Sequence, residues 1–205
     1  MRSLINKFLT GKINKLEVIS GFSKLQNSQE IKKLFNCFTN FSDDSEIRFV
    51  GGCIRKILNK EKIDDIDLAT NITPQEIKIA LDKFNLKYFE TGIKHGTISS
   101  IINEKKFEIT SLRKDITTDG RHAKVEFTND WLIDASRRDF TINSIYADLD
   151  GNLFDPFEGK SDLEKGQVKF IGNAEIRIQE DYLRIMRYIR FFLNYSEIPH
   201  DENIK

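Results

Sequence analysis

The sequence predicts an α+β fold, a mixed sheet flanked by helices, from three features. Phe49–Thr70 (FVGGCIRKILNKEKIDDIDLAT) reads as a strand, a double glycine, a short basic helix and a second strand. TISSII and KFEITSL, separated by Asn103-Glu104, read as a β-hairpin. Thr73-Pro74-Gln75-Glu76 and Ala174–Asn194 carry strong helix signals.

The chain opens with two segments of helical apolar spacing, Leu4–Leu16 and Ser28–Phe38, which carry no recognisable chemistry and are assigned to packing. Ile47–Val50 is a short strand feeding Gly51-Gly52, and Arg55 and Lys56 lie in the helix that follows, to about Asn59. A glycine pair before a helix is common in turns; its weight here comes from the Asp-x-Asp strand after it. Asp65 and Asp67 stand two residues apart in an apolar segment, so a strand places both on one face. Paired carboxylates repel unless a cation lies between them, and hard divalent ions such as Mg²⁺ take such oxygen ligands while sharing substrate phosphates. Gly51 and Gly52 let backbone N–H groups approach an anion closely. Together these residues predict a metal–triphosphate site.

Thr73 caps a helix running to about Phe84, with Pro74 at its first position and Glu76 completing a capping box. Thr91–Thr97 is a glycine-flanked loop leading into the hairpin. Glu108 lies in the second hairpin strand, as a third acid beside the Asp pair if the strands adjoin, or equally as a surface glutamate. Asp115–Lys124 is polar, holds Gly120 and reads as a loop, in which His122 is an exposed histidine or a phosphate contact.

Trp131–Tyr146 reads as a helix, a break near Arg137-Arg138 and a second short helix. Alone, the arginine pair is a surface salt-bridge patch; beside a triphosphate it becomes a phosphate clamp. Asp150-Gly151 is a hairpin turn signal, followed by a strand, a proline loop, a short helix and another strand. Ala174–Asn194 reads as one long helix. Arg177, Asp181 and Arg184 share a face, Arg187 and Arg190 drift round it, and Ile176, Leu183, Met186 and Ile189 supply packing. Arginines among Ile185, Tyr188 and Phe191 need partners if buried, and a nucleotide would provide them.

Length and composition agree with a globular domain of 205 residues with 39% hydrophobic content and formal net charge +0. No apolar run reaches the ~20 residues of a membrane span, the N-terminus is too polar for a secretory signal, and no residue spacing suits zinc. Cys37 and Cys53 are far apart, which points to reduced thiols and a cytoplasmic location.

In order, GGCIR, DDIDLAT, TGIKHGTIS, FEITSLR, RRDFTINS, DPFEGKSDL and EDYLRIMRYIRF resemble the class II tRNA nucleotidyltransferase family, CCA-adding enzymes and bacterial poly(A) polymerases, within the polymerase-β-like superfamily. The resemblance spans roughly Ile47 to Phe192. It implies a polymerase-β-like nucleotidyltransferase head over 47–170, a leading helical extension over 1–46, and the first helix of a helical neck over 171–205, with body and tail absent. It implies that Asp65 and Asp67 hold Mg²⁺ in a two-metal mechanism, with Glu108 as the third catalytic acid. Gly51 and Gly52 would approach the phosphates, while Arg55 and Arg138 hold the nucleotide. Asp181, Arg184, Arg187 and Arg190 match the nucleotide-reading helix, whose first Asp and Arg read the base edge. The implied partners are CTP and ATP and a tRNA or other RNA 3′ end, with no membrane; the missing body and tail are expected either from a second polypeptide or from further sequence of a longer chain. Strict poly(A) addition and an inactive nucleotide- or RNA-binding remnant are the alternatives. Lys56 stands where the family motif carries an acid, and Ser144 closes RRDFTINS where the family usually ends in alanine.

Overall fold

A computed structural model describes residues 15–118 and 123–200. Most of the Leu4–Leu16 segment, Gly120 and His122 lie outside the described residues. The helices are α1 (Lys15–Asn27), α2 (Gln29–Thr39), α3 (Gly52–Leu58), α4 (Pro74–Lys83), α5 (Trp131–Ser136), α6 (Gly159–Glu164), α7 (Ala174–Glu180) and α8 (Leu183–Tyr195). The strands are β1 (Ile47–Val50), β2 (Asp67–Thr70), β3 (Lys87–Gly92), β4 (Thr97–Ile102), β5 (Lys105–Ser111), β6 (Arg113–Thr118), β7 (Ala123–Phe127), β8 (Tyr146–Ala147) and β9 (Leu153–Phe154).

Seven strands form one mixed sheet in the order β3-β4-β5-β2-β1-β8-β9. All its pairs are antiparallel except β2–β5, which sets Asp67 opposite Glu108. Strand residues alternate between two apolar clusters, as a period of two requires. Phe49, Leu68 and Ala147 join the main core with α1–α4 and α8; Val50, Ala69 and Tyr146 join a smaller cluster with Ala135 of α5. Asp67 is two residues from Ala69 and therefore opens on the α5 face.

Local signals set most of these elements. Thr73 and Glu76 form the full capping box of α4. Asn103 and Glu104 both have positive φ, 50° and 65°, as a two-residue type I′ hairpin turn demands. The buried face of α2 carries Ile31, Leu34, Phe35 and Phe38, confirming its packing role; Phe35 meets Phe49 at 4.8 Å between ring centroids. Helix α1 was not legible as an element of its own, because Gly21 interrupts its apolar spacing; there a Cβ would meet Ile57 Cγ2 at 2.9 Å.

Several expectations are corrected. Asp65 lies in an exposed connection before β2, not in the strand. Strand β1 pairs with β2 only as far as Phe49↔Leu68, and Gly51, at φ +66°, then turns the chain into α3. The segment read as a loop at 115–124 instead contributes to a two-stranded hairpin, β6–β7, paired from Arg113↔Phe127 to Thr118↔Ala123 with a register shift between Asp115 and Thr117; its β-branched residues outweigh its polarity. The second short helix after Arg138 is a single 3-10 turn, Thr141–Asn143.

The long helix of 174–194 is two helices. Asp181 adopts extended backbone (φ −156°, ψ 105°), and its Oδ1 accepts from Leu183 N at 2.9 Å, so a side-chain cap replaces helical continuation. The break turns the packing face. Arg184, Tyr188 and Phe191 are buried, with Phe191 5.4 Å from Phe140. Ile176, Leu183, Met186 and Ile189, assigned to packing, are 57%, 51%, 66% and 44% exposed.

Gly159 opens α6 against the 3-10 turn that carries Asn143. A Cβ there would stand 2.1 Å from the Thr141 carbonyl oxygen, so backbone must move. Gly159→Ala is expected to cost about 3 kcal/mol, read as a lowered urea midpoint at constant m-value.

Candidate active site

A cavity of about 560 Å³ opens where the β1–α3 turn, β2, the Arg137–Asn143 turn and the start of α8 converge, and it is lined by Gly51, Gly52, Arg55, Asp67, Arg138 and Arg184 among others. A larger groove, about 940 Å³, lies between α2 and the β8–β9 hairpin and contains none of the sequence-predicted site residues. Most of the predicted charged groups line the smaller one; Asp65, Glu108 and Arg190 do not.

On one wall, Gly51 has φ +66° and ψ −116°, open only to glycine, and its N–H donates to Ile145 O at 3.1 Å. Arg55 is buried. It donates to Asn143 Oδ1 and lies over the rings of Phe191 and Tyr195 at 4.7 and 5.0 Å. Its stem and plane are thus fixed, while its Nε has no partner.

Asp67 is half-buried. Burial raises its pKa, and the Glu108 and Asp65 carboxylates push further the same way against Arg138 and Arg55. A divalent cation held by these oxygens would relieve that repulsion, so the donor set fits a hard metal ion. Preorganisation is partial: among the described residues no three acidic groups gather at metal-holding distance. Glu108 does adjoin the Asp67 strand, but its Oε1 accepts from Lys106 Nζ at 2.6 Å.

Arg138 is held from three sides. Its Nε donates to Tyr146 Oη at 2.9 Å, its Nη2 to Asp134 Oδ2 at 3.0 Å, and its Nη1 to Asn143 O at 3.4 Å. Burial opposes its charge, but Tyr146 and Asp134 outweigh that and hold it protonated. Asp134 is 1% exposed. Burial alone would raise its pKa, yet Arg138 and Arg137 hold the carboxyl well below the usual carboxylate range.

The third wall comes from the helix break. Asp181 and Arg184 both line the cavity. Arg184 donates to Glu180 Oε2 at 2.6 Å and to Arg177 O at 2.9 Å; its partners are protein groups already in place. Arg187 pairs with Asp139 at 2.6 Å. Arg190 is exposed, stacks on Phe191 at 4.9 Å and does not line the cavity.

Sequence reasoning missed the residues that hold the arginines. Asp134 precedes Arg137 and Arg138 by three and four residues, a helical ion-pair spacing that could have found it. Asp139 accepts from Arg187 Nε and Asn143 Nδ2, at 2.7 and 3.0 Å, and Asp139 and Asn143 both stand in RRDFTINS. Arg177 joins the two halves of the site by donating to the carbonyl oxygens of Arg137 and Arg138, at 2.5 and 2.7 Å.

Residues 47–169 match the Poly A polymerase head domain. The chain belongs to that head-domain family. It is 47% identical over 177 residues to the human mitochondrial CCA tRNA nucleotidyltransferase 1, across 86% of this chain and 40% of the relative. It is 42% identical to the CCA-adding enzyme of Lactobacillus johnsonii, across 77% and 39%. The head-domain chain also resembles the crystal structure of the Bacillus stearothermophilus CCA-adding enzyme in complex with CTP, with TM-score 0.71, 30% identity, and 84% and 42% coverage. A tRNA nucleotidyltransferase complexed with a primer tRNA and an incoming ATP analog gives TM-score 0.58 and 26% identity, over 74% of this chain and 43% of that one. The chain thus spans about two fifths of the length of the curated relatives it matches.

Proposed function

We propose that the chain is the nucleotidyl-transferring head of a template-independent RNA 3′-end nucleotidyltransferase, adding CMP and AMP from CTP and ATP to tRNA. One observation carries this reading: a single cavity joins Asp67 with the Gly51–Gly52 turn, Arg55, Arg138, Asp181 and Arg184. In this reading residues 47–170 are the transferase head, 1–46 a leading helical segment, and 171–205 the start of the neck. In this reading the location is cytoplasmic, although three relatives are named as mitochondrial; among the described residues no helix is long and apolar enough to cross a membrane.

Each residue then has a physical task. Arg55 and Arg138, fixed by Asn143, Asp134 and Tyr146, present preorganised charge to the triphosphate. Gly51 and Gly52 admit phosphate oxygens close to backbone. Asp181 accepts from an exocyclic amino group and Arg184 donates to ring acceptors, which suits cytosine and adenine alike. Asp65 and Asp67, with Glu108 on the neighbouring strand, would hold Mg²⁺, which when bound would lower the pKa of the RNA 3′-hydroxyl and stabilise the departing pyrophosphate. The rest is alignment of the hydroxyl with the α-phosphorus.

Poly(A) addition uses the same groups. Incubating the chain with a tRNA lacking its 3′ CCA and with CTP or ATP separately distinguishes them. We expect C incorporation; incorporation of A alone would establish a poly(A) polymerase. The exposed apolar face of α7 and α8 supports a covering RNA-gripping part, supplied by further sequence of the same protein or by a second polypeptide. Adding the isolated C-terminal part of a CCA-adding relative to the same assay is expected to raise the rate. Nucleotide binding without incorporation under both conditions would instead support the remnant.

A further inference from the structure

Arg113 carries no role in the motifs, and it lines the same cavity as Asp67 and Arg138. It opens β6 at the root of the β6–β7 hairpin, opposite Phe127. Its Nη1 donates to the carbonyl oxygen of His95 in the glycine-flanked turn, which fixes the guanidinium. Its Nε is buried and has no hydrogen-bond partner. The Asp115 carboxylate stands 3.9 Å away, too far for one.

Around Arg113 three guanidinium groups share two carboxylates, Asp134 and Asp115. Those groups, of Arg113, Arg137 and Arg138, surround Asp134. Its two oxygens are taken by Arg137 at 2.7 Å and Arg138 at 3.0 Å, and only the backbone N–H of Arg113 reaches it, at 3.2 Å. Burial, then repulsion by Arg137, depress the Arg113 pKa to about 10. A largely desolvated guanidinium that lines the cavity, with its Nε unbonded and its carboxylate neighbour Asp115 only at 3.9 Å, is stabilised when an anion arrives there.

Resting on the nucleotide-transfer reading, we propose that Arg113 is a further phosphate-binding residue of this site, contacting an anionic phosphate oxygen from the β6 side, across from Arg55. The phosphate comes from the nucleotide tail or from the RNA backbone, and the two sources separate experimentally.

The test is calorimetric titration of the wild-type chain, Arg113→Gln and Arg113→Lys with inorganic tripolyphosphate, CTP, CMP, and an RNA primer alone. Gln removes the charge and keeps an amide donor; Lys keeps the charge and loses the fork. Losing one charge-assisted hydrogen bond predicts about ten-fold weaker binding. Weakening of tripolyphosphate and CTP, with CMP less affected, assigns the nucleotide tail. Unchanged tripolyphosphate with a ten-fold weaker RNA primer assigns the RNA backbone. Affinities within about two-fold of wild type for every ligand, in a variant of unchanged circular dichroism, overturn the proposal. Should the Gln variant lose its fold, the Lys variant decides by the same comparison. Tripolyphosphate binding requires no incorporation, so this result and failure of the transfer reaction are told apart.

Discussion

Asp67→Asn is expected to lose nucleotide incorporation by about 10³-fold or more, yet to unfold at a higher temperature than wild type when a chelator is present. The two effects share one cause. Asp67 is half-buried, and its folded pKa lies above its ordinary value because burial and the carboxylates of Glu108 and Asp65 disfavour its charge. A carboxyl whose folded pKa exceeds its unfolded one costs stability at neutral pH, and that cost disappears as pH falls through the folded value. The amide has no charge to bury, so Asn removes the cost together with the metal ligand. Differential scanning calorimetry in chelator and single-turnover incorporation with Mg²⁺ check the two halves. A variant of near-normal incorporation would remove Asp67 from the chemistry. A Tm below wild type would show that its charge stabilises the fold instead.

Asp134→Ala is expected to destabilise the chain by about 3 kcal/mol, because it leaves two half-buried guanidinium groups without their buried carboxylate. The buried oxygens of Asp134 accept from Arg137, Arg138 and the Tyr146 hydroxyl, the last at 2.6 Å. For a chain of this size that corresponds to a Tm lower by roughly 10 °C. CTP should also bind more weakly, since Arg138 loses the group that aims it. Asp134→Asn keeps the volume and should retain more of the fold. The sign of the pH effect is fixed by the depressed carboxyl. Its contribution is fully present above the unfolded value of about 4 and is lost progressively as pH falls below it. A urea midpoint flat from neutral pH to about pH 3 would contradict this.

Much of the sheet was legible because its signals are local. The capping box at Thr73 and Glu76, the two-residue turn at Asn103-Glu104 and the double glycine each act over four residues or fewer. What escaped depends on distant partners. Asp65 leaves the strand because β1 ends its pairing at Phe49, a fact held in another segment. Asp181 breaks a helix whose propensity runs straight through it, because its own carboxylate caps the next turn. The arginines of the site were visible as residue types, but their orientation comes from Asp134, Asp139, Asn143 and Tyr146. Those residues look unremarkable until the Arg137–Asn143 turn brings them under the cavity.

The central claim is that the nucleotide occupies the cavity shared by Asp67, Arg138 and Arg184. A crystal structure of the chain with CTP and Mg²⁺ tests it directly. The claim predicts the triphosphate against the Gly51–Gly52 turn, Arg55 and Arg138, the metal on Asp67, and the cytosine edge at Asp181 and Arg184. CTP seated instead in the larger groove between α2 and the β8–β9 hairpin, with the Asp67 cavity holding neither phosphate nor metal, would contradict it.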